Sequence, residues 1–527
     1  MTSIFSSTPY AVVRSALLAR QEIALVDVRE EAPYAEGHPL FAVNIPLSKL
    51  ELEVFSRIPR RTTQVVVYDN GEGLAVQALD RLLALGYTDV TLLEDGLQGW
   101  RQAGGELFID VNVPSKAFGE LVEHHRHTPS LAAEEVKALI DSKADVVVLD
   151  ARRFDEYQTM SIPQGVSVPG AELVLRAREL APDPATRIVV NCAGRTRSII
   201  GTQSLINAGL PNPIAALRNG TIGWLLAGQT LEHGQQRRFS EVSAHHHQAA
   251  AEDALRVAER AGVGRVTLEQ LAAWQAEPQR TTYLFDVRTP EEYVAGHLPG
   301  ARSTPGGQLV QETDHFASVR GARVVLFDDD GVRANMSASW LAQMGWDVYV
   351  LDGVAEHALV EHGEWYAPGP QAPQAEQISP ETLAAWQTEG GVQVLDFTTS
   401  ANHVKQHVPG AAWALRADLA SVLAALPAER YVLTCGSSRL ARFAAPEVEA
   451  ITGKPVFVLE DGNAAWVRSG LPVETGDARL ASRRTDRYRR PYEGVDAPRE
   501  AMQAYLDWEF GLVEQLGRDG THGFRVI

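Results

Sequence analysis

Residues 146–152 read VVVLDAR and residues 187–198 read RIVVNCAGRTRS. Each stretch opens with an unbroken branched apolar run, the pattern of a strand buried on both faces in a parallel sheet. The runs end on Asp150 and Cys192, 42 positions apart (192 − 150). This pair of landmarks recurs. ALVD ends on Asp27 and VVVYD on Asp69, while YLFD ends on Asp286 and VVLFD on Asp328, both at the same spacing. A fourth pair ends on Asp396 and Cys435, 39 positions apart (435 − 396). A third element closes each unit: a short apolar strand, a glycine, and an aromatic four positions on. Residues 90–100, 214–224 and 456–466 end this way on Trp100, Trp224 and Trp466, and His357 stands at that place in the third unit. Landmarks that agree at three places in four segments mean an internal fourfold repeat.

Amphipathic stretches at 75–85, 198–208 and 334–344 follow the second strand with helical spacing, and residues 131–140 and 268–275 read as opening helices behind a Ser or Thr cap. Strands alternating with helices give an α/β fold with a mainly parallel sheet flanked by helices in each unit. The expected domains are 1–110, 126–234, 258–368 and 376–478, followed by a C-terminal tail, 479–527. Residues 120–129, 232–251 and 365–378 read as linkers. In the tail, a basic stretch, 483–490, precedes a helix expected over 499–516, from Pro498 to Gly517. That helix carries Met502, Tyr505, Leu506, Val513 and Leu516 on an apolar face, which must dock on a repeat or on a homodimer partner.

The chain has 527 residues, a formal net charge of −19 and 2 cysteines. At about 150 residues per domain the length fits three or four domains. The acidic balance argues against sequence-independent nucleic-acid binding and against docking on an anionic membrane. No run approaches the roughly 20 apolar residues of a membrane span, and the first twenty positions lack the layout of a signal peptide. A cytoplasmic protein is the expectation. Two cysteines exclude a disulfide-built scaffold and a four-thiolate metal site in one chain. The histidine runs at 124–127 and 245–247 lack acidic or thiol neighbours at ligand spacing and read as solvated linker, so no metal and no cofactor is expected. The basic stretch is expected to pair with acidic surface on the same chain or a subunit.

Cys192 ends a buried strand, and a helix is expected a few residues later. That arrangement aims backbone N–H groups and a positive helix end at the sulfur, which is expected to favour the thiolate and lower its pKa. Arg195 and Arg197 are suited to a small oxyanion, and Ser198 can bond within the loop or cap the helix. The bland alternative is a buried structural cysteine. Cysteine phosphatases share this design around a wider loop; here four residues lie between Cys192 and Arg197.

Two sets of residues carry a family resemblance. The third unit holds Asp286, Arg288, Glu292, Tyr293, Gly296, His297, Pro299, Gly300 and Ala301, and the second holds the loop Cys192, Ala193, Gly194, Arg195, Thr196, Arg197, Ser198. Together they resemble the rhodanese family of sulfurtransferases, and fourfold arrays with such a tail are similar to its bacterial thiosulfate sulfurtransferases. The resemblance implies four tandem rhodanese-like domains, small-molecule sulfur donors and acceptors, and a persulfide on Cys192. It also implies that Asp150 and Arg152 support the loop from beneath. Related mercaptopyruvate enzymes have no arginine in this loop, so Arg195 and Arg197 favour thiosulfate. Asp69 and Asp328 replace the nucleophile in units one and three, which are expected to be inactive; the acidic run 328–330 reads as a solvated loop. In unit four, Cys435 is a second candidate thiol, but Leu440 and Ala441 replace the loop-closing Arg and Ser, and Arg439 sits one place early. Trp224 is expected in the core. The alternative is a sulfur carrier or scaffold that takes its persulfide from a protein donor in a relay.

Overall fold

The computed structural model describes residues 6–494 and 496–527. It contains four five-stranded sheets of the same strand order, one per repeat. In the second repeat the spatial order is Ser130–Leu131, Ile214–Leu217, Arg187–Asn191, Val146–Asp150, Val166–Ser167, with every neighbour parallel. The two long runs lie side by side, with Val146 opposite Arg187 and Asp150 opposite Asn191. Val189, Val190 and Leu149 are fully buried, as strands covered by helices on both faces require. Arg187–Asn191 is the central strand, so Cys192 leaves the middle of the sheet at its carboxyl end. Ligands of open α/β sheets bind there.

The helices after the second strand run Leu74–Ala84, Thr196–Asn207, Arg333–Gln343 and Arg439–Thr452. The third-element glycine has a steric cause. Gly96, Gly220 and Gly462 all have positive φ, and a Cβ on them would lie 2.7, 2.3 and 2.2 Å from the carbonyl oxygens of Asp69, Cys192 and Cys435. Trp100, Trp224 and Trp466 are buried, each indole N–H donating to a carbonyl six residues on. In the third repeat the closing helix shrinks to a 3-10 turn, Glu356–Ala358.

Several expectations need correction. Residues 120–129 are not simply a linker: Val113–Arg126 is a helix whose Val113–Val122 part is buried. Residues 232–251 lead into another helix, Ala244–Ala261, which packs on Arg333–Gln343. Its histidines are not merely solvated, since His246 Nδ1 lies 2.7 Å from Glu179 and His247 Nε2 lies 2.9 Å from the Asp330 carbonyl. The helix expected over 131–140 begins at Ala133, because Ser130–Leu131 pairs as an edge strand. The tail helix divides at Gly511 into Arg499–Phe510 and Leu512–Asp519. Glycine weakens helical continuity, and the bend lets Leu506 and Leu516 bury against different neighbours.

The repeats pack on one another. Repeats one and three share a single apolar core. Trp340 of repeat three donates to Ser204 Oγ of repeat two at 2.8 Å, and Arg416 of repeat four pairs with Glu51 of repeat one at 2.7 Å. The tail's apolar face docks on its own chain. Met502, Tyr505 and Leu506 cover Ala193 and Ile222 of repeat two.

Candidate active site

Cys192 joins the central strand to the Thr196–Asn207 helix, and three residues make the turn. The loop is tied back at both carbonyls. Thr221 N–H donates to Cys192 O at 2.9 Å and Ile222 N–H to Ala193 O at 3.1 Å. Both donors belong to the first turn of the Gly220–Leu226 helix, where N–H groups lack partners within the helix. Ser198 Oγ lies 3.4 Å from Cys192 Sγ and donates to Arg195 O at 2.8 Å, closing the ring.

From beneath, Arg152 grips Asp150 with Nε at 2.9 Å and Nη2 at 2.7 Å, and Nη2 also donates to Met160 O. Asn191 Nδ2 reaches the same carboxylate at 2.9 Å, which connects this buried pair to the residue before Cys192. Repeats one and three keep the pair as Asp27–Arg29 and Asp286–Arg288. Repeat four has no arginine there, and His403 Nδ1 lies 2.8 Å from Asp396 in its place.

The two loop arginines differ. Arg197 makes a bidentate pair with Glu156, at 2.7 and 2.9 Å. Burial works against the Glu156 carboxylate, yet Arg197 holds it down at about 2. The Arg197 charge also acts on Cys192. Arg195 is not available to an oxyanion as the sequence suggested. Its Nε and Nη2 donate to Glu120 at 2.7 and 2.8 Å, Nη2 also meets Glu123, and Nη1 reaches Asn219. Phe510 of the tail lies 4.2 Å over its guanidinium. Arg195 therefore fastens the loop to the Val113–Arg126 helix.

The expected fall in the Cys192 pKa is also corrected. The thiol is 2% exposed. Burial pushes its pKa up, against the opposing pull of Arg197 and of the Ser198 hydroxyl and N–H. The cover is the tail: a Cβ on Gly194 would meet the Tyr505 ring at 3.2 Å and Glu509 Oε2 at 3.4 Å. Tyr505 donates to Glu509 Oε1 at 2.9 Å, while Oε2 is buried without a partner among the described residues. Burial, reinforced by nearby Glu120, raises Glu509 to about 8. Lys116 fixes this cover. It pairs with Asp110 at 2.6 Å and lies 5.2–5.6 Å from the rings of Tyr492, Tyr505 and Trp508.

The other loops are built on the same plan. Asp69 accepts from Gly71 N–H and Ala75 N–H, both at 2.9 Å. Asp328 accepts from Ala334 N–H at 2.8 Å, and Arg333 pairs with Asp329, Asp330 and Glu292, so the acidic run is arginine-bound rather than merely solvated. Cys435 is 4% exposed; burial raises it, against backbone N–H groups of Ala441, Ser437 and Leu440. Arg439 points away and donates to Ala367 O. The basic stretch pairs chiefly within the tail, Arg487 and Arg490 with Glu493 and Arg489 with Asp496.

Sequence reasoning missed Glu120, Glu123, Glu156 and the tail's Glu509, and it placed Tyr505 on a docking face without saying that it lies over the Cys192 loop. Of the residues missed, only Glu156 had left a signal, since it lies six positions after Asp150, as Glu292 does after Asp286.

Comparison with known proteins agrees with this architecture. A family model described as the rhodanese-like domain matches residues 13–103, 132–227, 267–356 and 379–469. A crystal structure of a thiosulfate sulfurtransferase from Pseudomonas aeruginosa is 70% identical, with a TM-score of 0.98 over 99% of this chain and 100% of that one. A thiosulfate sulfurtransferase from Azotobacter vinelandii is 27% identical over 37% of this chain and 79% of its own length. The putative thiosulfate sulfurtransferase SseB from Mycobacterium tuberculosis is 30% identical over 42% of this chain and 91% of its own. Four matched segments, each on its own parallel sheet, mean that this chain belongs to the rhodanese family.

Proposed function

We propose that the chain is a thiosulfate sulfurtransferase that carries the moving sulfur as a persulfide on Cys192. The observation that carries this reading is the seat of that sulfur. It lies at the carboxyl end of the central strand, beside Ser198, with the Arg197 charge acting on it. The chemistry is covalent, in two half-reactions. The Cys192 thiolate forms a bond to the outer sulfur of thiosulfate, the sulfur–sulfur bond of the donor breaks, and sulfite leaves with the electron pair. Cyanide or a thiolate then attacks the outer persulfide sulfur, and the Cys192 thiolate departs. Asp69 and Asp328 cannot form a persulfide, so repeats one and three are inactive, and repeat four lacks the arginine at position 440.

The burial of Cys192 favours a small-molecule donor over the carrier alternative, because a protein thiol would have to reach beneath the tail helix. A reducing, cytoplasmic setting belongs to this reading, since the nucleophile must stay a free thiol. No helix among the described residues is long and apolar enough to cross a membrane.

Thiosulfate:cyanide turnover by the full chain, Cys192→Ser and Cys435→Ser, with mass-spectrometric mapping of added sulfur, tests the proposal. Cys192→Ser should lose turnover, Cys435→Ser should keep it, and thiosulfate should add one sulfur atom to the Cys192 peptide. Full turnover in Cys192→Ser would refute the assignment.

A further inference from the structure

A cleft of about 310 Å³ borders the Cys192 loop, with walls from three parts of the chain. Repeat two supplies Arg152 and Arg197, repeat three supplies Gln311, and the tail supplies Arg487, Arg490 and Tyr492. Arg197 connects cleft and sulfur, since it lines the one and acts on the other.

Polar capacity is left unused in this wall. Gln311 is 9% exposed, and its Oε1 is buried without a partner among the described residues. Arg490 donates from Nη1 to Glu493 at 2.6 Å, while its Nε is likewise buried without a partner. Tyr492 is 9% exposed, and its buried phenol lies in the field of Lys116, Arg490 and Arg197, with the Asp110 carboxylate opposing them. Buried polar groups are ordinarily satisfied, so side chains that line a cleft and keep unpaired polar atoms beneath its surface are suited to turn toward a polar ligand. Asp155, Glu156 and Glu493 also line the cleft, each paired with an arginine. Glu312 also lines the cleft and lacks such a partner among the described residues.

The tail's place is fixed independently of any ligand. Tyr488 Oη donates to Asp110 Oδ2 at 3.2 Å, Asp110 pairs with Lys116, and Lys116 sits against the Tyr492 ring. Tyr488 N–H donates to Glu31 of repeat one at 2.8 Å. The segment that carries Arg490 and Tyr492 is thus tied to repeat one and to the Val113–Arg126 helix.

We propose that this cleft is the binding site for the sulfur donor, a small sulfur oxyanion, and that Arg490 and Tyr492 of the tail complete it by holding the oxyanion end. This rests on the sulfurtransferase reading above and adds to it that repeat two is not self-sufficient. Arg195 faces Glu120 and Glu123 and does not line the cleft, whereas Arg490, held on one side by Glu493, and Tyr492 do.

The test uses the full chain carrying Cys192→Ser, which keeps the cleft but performs no transfer, titrated calorimetrically with thiosulfate and with sulfite. In that background Arg490→Gln should weaken thiosulfate binding about tenfold, the scale of one charge-assisted hydrogen bond. Arg490→Lys should restore part of it, and Tyr492→Phe, which removes one oxygen, should weaken it about threefold. In the chain with Cys192 intact, the KM for thiosulfate should rise in the same order while kcat/KM for cyanide stays put. Affinities within twofold of the parent in both Arg490→Gln and Tyr492→Phe would overturn the proposal, and so would a parent that binds neither anion at millimolar concentration. Tail-dependent anion binding by a chain that makes no thiocyanate would uphold the cleft and sink the transfer reaction instead.

Discussion

Replacing Gly220 by alanine separates the geometry of the Cys192 loop from its chemistry. Gly220 has a φ of +53°, and a Cβ there would lie 2.3 Å from the Cys192 carbonyl oxygen and 2.8 Å from the Ala193 carbonyl carbon. Ordinary non-bonded contact is about 3.5 Å, so the loop must retreat by roughly 1 Å. That retreat stretches the bonds from Thr221 and Ile222 that tie the loop down, each contributing about 1 kcal/mol. The left-handed backbone adds roughly 1–2 kcal/mol for any residue with a Cβ. The expected destabilisation is about 3–4 kcal/mol, of which only the backbone part is generic. A control isolates that part: Gly228 follows the same helix at φ +74° with open space around it. Moving a nucleophile by 1 Å costs on the order of a hundredfold in rate. Gly220→Ala should therefore lower the rate of Cys192 persulfide formation about a hundredfold and depress the melting temperature well beyond Gly228→Ala, which should retain wild-type rate. The reasoning fails if Gly220→Ala forms persulfide within twofold of the wild-type rate, or melts together with Gly228→Ala.

Glu120→Ala takes the bidentate partner from the buried Arg195 guanidinium and leaves it Glu123 and Asn219, so the cost should be roughly 2–3 kcal/mol, below that of a fully unpaired buried charge. Denaturant unfolding should register that loss, and adding Arg195→Met should recover most of it; a double variant no more stable than Glu120→Ala would contradict the anchoring role. Glu509→Gln tests the buried carboxyl by pH. The Glu509 pKa is raised in the folded chain to about 8, so its contribution to stability is present at low pH and is lost as pH rises from the ordinary carboxylate range through that value. The melting temperature of Glu509→Gln relative to wild type should rise between pH 6 and pH 9, and a difference independent of pH would refute it. Burial chiefly holds the Cys192 pKa up and the Glu509 charge adds to it, so the rising limb of persulfide formation with pH should also move slightly to lower pH in this variant.

The strands and the loop were legible because their cause is local. A buried parallel strand needs an unbroken apolar run, and the closing glycine is set by a carbonyl 2.2–2.7 Å from its missing Cβ. The fate of Arg195 was not legible, because Glu120 lies 75 positions away in a stretch whose histidines and glutamates look solvated. Its burial exists only once the helix meets the arginine. The tail was half legible. Its apolar face predicted docking, but no local pattern says that Tyr505 and Glu509 lie over Gly194. The Cys192 pKa was misjudged for the same reason, since the helix end is encoded beside the cysteine and the cover is encoded some three hundred residues later.

The four loops together separate what holds this structure from what would make it react. In each repeat the residue at the strand end faces the backbone N–H six positions on, that of Ala75, Ser198, Ala334 or Ala441. An aspartate satisfies that donor as well as a thiolate can, and it brings a charge favourable at a helix start. A repeat can therefore lose its cysteine and keep its loop. Arginine does not distinguish repeat two either, since Arg333 pairs with Glu292 just as Arg197 pairs with Glu156. What repeat two has in addition is the tail, laid over its loop and held by Lys116. The loop is then a common backbone cradle, whose N–H groups draw the strand-end group toward its charged form while burial opposes that. The wall opposite is built from distant sequence, and only repeat two has it beside a cysteine whose loop keeps Arg197.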